Sequence, residues 1–283
     1  METERHLDWL YLYGIVRCSA IDLSRVAGVG GGCDVSLVCD GELACAVSPV
    51  SRADYSREAM ESRAQQLDWL APRAIRHQQV VLHCLRQTGA VVPLRFGTLC
   101  ATAGDVRRVL QANQPPFLQL LAFLQGREEW GVKVFANPDL AVQAVEPAEG
   151  AGDELAPASP GKAYFMEKKR RKLAQERAIL RIAELEGEIY ERLLPCAVDA
   201  RKRRCQDASS DAPQRPVLNA ALLVDRDKLS VLQELAGRLE ADYRSDGITV
   251  ELSGPWAPYS FCGDLGQAPA AADMAQDPER CAN

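Results

Sequence analysis

GKAYFMEKKRRKLAQERAILRIAELEGEIYERLL, residues 161–194, holds no proline, and its reading divides the rest of the chain. Ile179, Ile182, Leu185, Ile189 and Leu193 recur within it at spacings of three, three, four and four. At about 3.6 residues per turn these side chains share one face of a helix, and that face needs a covering surface. Glu184, Glu188 and Arg192 lie on the other side, the last two an i, i+4 pair with the acid first, which predicts a solvated face. Pro160 and Gly161 break the chain ahead of the helix, and Pro195 ends it. A strand-rich portion precedes the helix and a shorter one follows. Each sheet needs helices to cover it, so the expected fold class is α+β in two domains.

The chain has 283 residues, comfortable for two cores, since single cores stop growing at roughly 250–300 residues. Apolar residues are 47% and charged residues 25%, the ordinary globular range. The ten cysteines would suit a disulfide framework in a secreted chain. However, METERHLDWL lacks the basic-then-apolar layout of a secretory signal, so reduced thiols and a cytoplasmic location are expected. No apolar run reaches the roughly 18–20 residues of a membrane span. The net charge of −6 conceals an asymmetry: residues 162–204 carry 13 basic and 7 acidic groups, net +6, leaving −12 on the remainder.

Taken in order, residues 7–16 read as a first buried strand, and residues 35–39 and 43–50 as a hairpin turning on Asp40 and Gly41. Residues 56–86 have helical spacing in Leu67, Leu70, Ala74, His77, Val81 and Leu85, with Pro72 predicting a kink or a division. Residues 90–96 form a strand placed at an edge or bulge by Pro93. Short helices at 105–112 and 116–126 and a strand at 129–135 follow. Residues 144–160 and 205–216 read as loops or insertions. Residues 217–224 are apolar throughout, as in a central strand, Asp225 is placed to cap a helix at 228–243, and residues 247–252 close the sheet. The expected division is 1–128, 129–262 with the long helix, and a disordered tail at 263–283.

Sites of chemistry are few. His77 and His83 are six apart, about 240° around a helix, so they do not share a metal on one face. Cys33, Cys39 and Cys45 form no CxxC pair and read as small apolar packing. Gly28 and Gly30 to Gly32 have no strand leading tightly into them and no helix after them, so a phosphate loop is disfavoured. No catalytic residue, cofactor or metal is expected. The basic tracts 168–172 and 201–204 could neutralise phosphates, which leaves a nucleic-acid-binding regulator as the alternative function; the pI near 5.3 and the lack of interleaved aromatics weigh against it. Arg95, between Leu94 and Phe96 in a strand, should either reach the sheet edge or pair with a carboxylate such as Glu128 or Glu129, the ion pair being favoured.

YLYGIV at 11–16, PLRFGT at 93–98, EWGVKVF at 129–135 and GPWAPYSF at 254–261, with the long charged helix between the third and fourth, resemble the gas vesicle accessory proteins F and L. The resemblance spans essentially the whole chain except the tail. It implies a mixed α+β N-terminal domain and a modified ferredoxin-like C-terminal domain. It also implies a non-catalytic accessory or minor structural role in the gas vesicle, within the cytoplasm, with contact to the small hydrophobic shell protein A and to other gas vesicle accessory proteins. An accessory of such a subunit should offer an apolar surface with a polar rim, and the junction of two domains is a common place for one. Phe96, Trp130 and Trp256 are therefore the expected partner-binding residues.

Overall fold

The structure, a computed structural model, describes residues 7–32, 35–63, 65–145, 160–205 and 213–263. Most of each expected insertion at 144–160 and 205–216, and all of the tail after Gly263, lies outside them. The chain divides into two compact units, Met1–Glu129 with Trp256–Asn283, and Trp130–Pro255. The residues after Pro255 thus group with the first unit, and not with residues 129–262 as the sequence reading had them.

The first unit is built on β1 (Leu7–Arg17), followed by β2 (Ser36–Asp40) and β3 (Leu43–Ser51), which runs antiparallel to both. Three helices come next, α1 (Arg52–Tyr55), α2 (Arg57–Arg63) and α3 (Leu67–Thr88), then β4 (Val92–Pro93), β5 (Leu99–Cys100), α4 (Ala103–Ala112) and α5 (Gln114–Leu124). The sheet order is β2-β3-β1-β4, with β5 also paired to β1. Pro93 therefore sits on an edge strand, where its missing N–H costs no ladder bond. The β2–β3 turn is Gly41-Glu42, one residue later than expected, because Asp40 pairs with Leu43 and Gly41 takes φ +55°.

On β1 the pleat sends Tyr11 and Tyr13 toward the core that α3 closes with Val80, Val81, Cys84 and Leu85. Leu12 and Ile15 are buried too, and α4 and α5 pack on the β1–β3 strands. The sheet is covered on both faces. Gly14 is needed for space: a Cβ there would lie 2.8 Å from Val91 Cγ2 and 3.1 Å from the Val92 carbonyl oxygen. The helical region divides at Ser56 and Gln66, not at Pro72, which lies in the second turn of α3 and removes one backbone bond there. The buried residues of α3 begin at His77, so Leu67, expected in the core, is exposed.

The second unit contains β6 (Arg127–Ala136), α6 (Pro138–Val145), α7 (Pro160–Leu193), β7 (Asp199–Lys202), β8 (Arg215–Asp225), α8 (Leu229–Asp242) and β9 (Ile248–Trp256). The order β7-β8-β6-β9 interleaves two β-α-β passes and puts the first strand of each in the middle, which is the ferredoxin-like arrangement, modified by the added α6. Trp130, Val132, Val134 and Ala136 alternate along β6, as do Leu218, Ala220, Leu222 and Val224 along β8, and they meet Leu185, Ile189 and Leu193 of α7 with Leu232 and Leu239 of α8. Ile179, expected on the same covered face, is 67% exposed; Ala174 and Ala178 are the buried positions in that part of α7.

The side of α7 expected to be solvated instead forms a clamp. Tyr243 donates its hydroxyl to Glu188 at 2.6 Å, while Arg192 donates to the Tyr243 hydroxyl at 3.1 Å and to Asp242 at 2.9 Å. Arg181 bonds Asp246 at 3.2 Å. These charge-assisted bonds fix the end of α8 to α7. Asp225 makes no capping bond; it accepts from Lys228, and a 3-10 turn over Arg226–Lys228 precedes α8. The helix α6 has no counterpart in the sequence reading, whose loop began at 144; Asn137 caps it by accepting from the backbone N–H groups of Asp139 and Leu140. The basic run at 201–204 starts within the edge strand β7, where exposed charges discourage edge pairing.

Candidate functional site

The polar centre of the first unit is His77, which α3 carries into the core, 3% exposed. Its Nδ1 lies 2.9 Å from the Tyr11 hydroxyl and its Nε2 2.8 Å from the Tyr259 hydroxyl. The Tyr11 oxygen also accepts the Gly97 N–H at 3.0 Å. Tyr13 stacks on the imidazole at a centroid distance of 5.6 Å, and Phe96 meets it edge-on at 5.8 Å. Burial lowers the His77 pKa to about 4, so the ring is neutral near pH 7. Burial also raises both tyrosines, so the hydroxyls keep their protons. The neutral ring between two neutral phenols carries no charge; it ties β1 and the turn at Tyr259 to α3.

Tyr13 extends the network. Its hydroxyl lies 2.7 Å from Ser48 Oγ and accepts the Val29 N–H at 2.8 Å, so the glycine-rich loop at 26–32 is tied to the sheet as a structural loop. Glu129, 2% exposed, accepts from the Ser260 backbone N–H at 2.9 Å and from the Ser260 hydroxyl at 3.1 Å. Arg95 is exposed, while Glu129 is buried against Ser260. His83 bonds the Asp22 carbonyl oxygen at 2.7 Å, away from His77. Among the described residues no three His, Cys, Asp or Glu side chains gather as a metal set.

The four sequence segments singled out above therefore share one arrangement. Tyr11 of the first, Gly97 of the second and Tyr259 of the fourth join at His77, and Glu129 of the third holds Ser260 of the fourth. The model of the gas vesicle synthesis protein GvpL/GvpF family matches residues 9–263. The chain belongs to that family. A gas vesicle protein L of Streptomyces sp. (strain CB03234) is 35% identical over 256 residues, covering 89% of this chain and 92% of the relative. The gas vesicle protein L of Haloferax mediterranei is 28% identical, covering 81% and 71%. The crystal structure of GvpF from Anabaena sp. PCC7120 has a TM-score of 0.65 at 18% identity, over 90% of this chain and 95% of that one. GvpF from Microcystis aeruginosa gives 0.61 at 19% identity. Both share the two-domain α+β fold.

The expected partner-binding residues of this GvpL/GvpF chain differ in placement. Phe96 packs on Tyr11 and His77 in the first unit. Trp130 is 9% exposed in the core of the second unit, and its indole Nε1 is buried without a hydrogen-bond partner. Trp256 is 43% exposed. The sequence reading overlooked the start of α7, where Tyr164, Phe165, Met166 and Leu173 are all exposed beside the basic tract 168–172. The signal was present, since YFM precedes the charged run without a matching apolar periodicity. The basic groups are partly paired: Arg170 with Glu167, Lys172 with Glu176, Arg201 with Asp199 and Lys202 with Glu186. Among the described residues no helix is long and apolar enough to cross a membrane.

Proposed function

We propose that this chain acts in gas vesicle formation as a non-catalytic assembly component, working in the cytoplasm at the vesicle, and that it binds the small hydrophobic shell protein. The observation that carries this reading is the exposure of Tyr164, Phe165, Met166 and Leu173 within about the first four turns of α7. Single exposed apolar residues are ordinary, but here Met166 and Leu173, seven residues apart, share one side of α7, Phe165 and Tyr164 follow round the helix at about 100° per residue, and four such side chains near one helix end suit an apolar partner. The lysines and arginines at 168–172 supply the polar rim and would govern the association rate. Trp256 is a second contact of the same kind; Phe96 and Trp130 act by holding their own units. Other gas vesicle accessory proteins are further partners of this surface.

The test is capture of purified shell protein by the full chain. The combined change Tyr164→Asp, Phe165→Asp and Met166→Asp should leave the thermal melt unchanged, because these side chains are exposed. It should weaken capture by roughly thirtyfold or more, the scale of losing one aromatic anchor worth about 2 kcal/mol. Trp256→Ala is expected to weaken it less. Unchanged capture by the triple variant would remove the α7 surface from the account. The alternative, a nucleic-acid regulator, requires micromolar binding to DNA or RNA that falls steeply with salt. The ion pairs already made by Arg170, Lys172, Arg201 and Lys202 disfavour it.

A further inference from the structure

We infer that Cys18 and Cys39 are a redox modification site, a dithiol that closes to an intramolecular disulfide under a two-electron oxidant of the peroxide class. The two sulfurs lie 2.9 Å apart and both residues are exposed. Their backbones are held from different strands. Cys18, one residue past β1, donates its N–H to the Glu42 carbonyl oxygen at 2.8 Å, and Cys39 on β2 is paired with Ala44. The sulfurs must approach by less than about 1 Å to reach a bond length of roughly 2.05 Å. Of the other six described cysteines, Cys196 and Cys205 are half-buried and four are buried. Cys45, Cys84, Cys100 and Cys262 are buried, and burial raises each thiol above its usual range, so an oxidant reaches them poorly and finds little thiolate.

The chemistry balances with hydrogen peroxide as the oxidant. One thiolate attacks a peroxide oxygen and becomes a sulfenic acid, the O–O bond breaks, and the leaving hydroxide takes up the thiol's proton as water. The second sulfur then attacks the sulfenic sulfur, a second hydroxide leaves and is protonated, and the sum is two thiols and one peroxide giving one disulfide and two waters. Hydrogen bonding to Cys18, and then burial, push the Cys39 thiol up to about 11. Cys39 therefore keeps its proton near neutrality. The bond would link β1 to β2 across β3 and enclose the loop whose Val29 N–H rests on Tyr13. Restricting that loop in the unfolded chain should raise the melting temperature of the oxidised form.

The experiment uses the full chain, reduced and then treated with one equivalent of hydrogen peroxide at pH 8. Two of the ten thiols should be lost, with peptide mapping recovering Cys18 linked to Cys39. A reductant should restore both. Cys18→Ser and Cys39→Ser, exposed changes that leave the fold intact, should each abolish that linked peptide and the gain in melting temperature. The inference is overturned if both thiols stay open to alkylation after oxidation, or if either is recovered in a bond to a different cysteine.

Discussion

Replacing His77 with glutamine is expected to destabilise the chain strongly at pH 7.5 and much less at pH 4.5. The side chain is buried between the Tyr11 and Tyr259 hydroxyls, and its pKa falls from about 6.5 to about 4 through burial. The neutral ring is favoured in the fold, whereas the unfolded chain gains a proton below about 6.5. The stabilisation is thus complete above pH 6.5 and is lost as pH falls from 6.5 toward 4. A shift of this size corresponds to about 3 kcal/mol, most of it gone by pH 4.5. Urea titrations of both proteins at the two pH values measure it. A gap between wild type and His77→Gln that stays constant with pH would mean that the ring does not sit neutral in this network.

The second large effect concerns which part of α7 is packed. Ile189→Ala should cost about 2–5 kcal/mol, because Ile189 is fully buried among β6, β8 and α8 residues and its truncation leaves a cavity. Ile179→Ala should change stability by less than about 0.5 kcal/mol, since that side chain is 67% exposed. The two positions have the same residue type on one helix and the same periodic pattern, so the contrast isolates burial. Similar losses at both sites would place the covered stretch of α7 one turn or more toward its start.

Much of the second unit was legible because its signals are local. The apolar run before Asp225, the spacing of Leu185, Ile189 and Leu193, and the turn at Gly247 each follow from a few neighbouring residues. Periodicity could not say how far the covering surface extends, so Ile179 was placed inside. Nor could it show that Glu188 and Arg192 would find Tyr243 and Asp242, some 50 residues on. The return of Tyr259 to His77, 182 residues apart in sequence, was likewise not readable from either segment alone. Tyrosine, tryptophan and proline in a short string indicate a stiff, part-polar segment and do not name its partner. The string did mark the family, and the geometry supplies the reason: its residues close the first unit's polar centre. The start of α7 was missed as a surface because its aromatic residues were counted as part of a helix and not asked what covers them.

The central claim, that this chain serves vesicle formation through an apolar contact at the start of α7, is tested most directly in cells. The gene would be deleted from a vesicle-forming cluster and replaced either by the wild-type sequence or by the variant carrying Tyr164→Asp, Phe165→Asp and Met166→Asp, with vesicles counted by electron microscopy at matched protein levels. The expected result is loss of vesicles on deletion, recovery with the wild type, and few or none with the variant. Normal vesicles after deletion, or full recovery with the variant, would contradict the account.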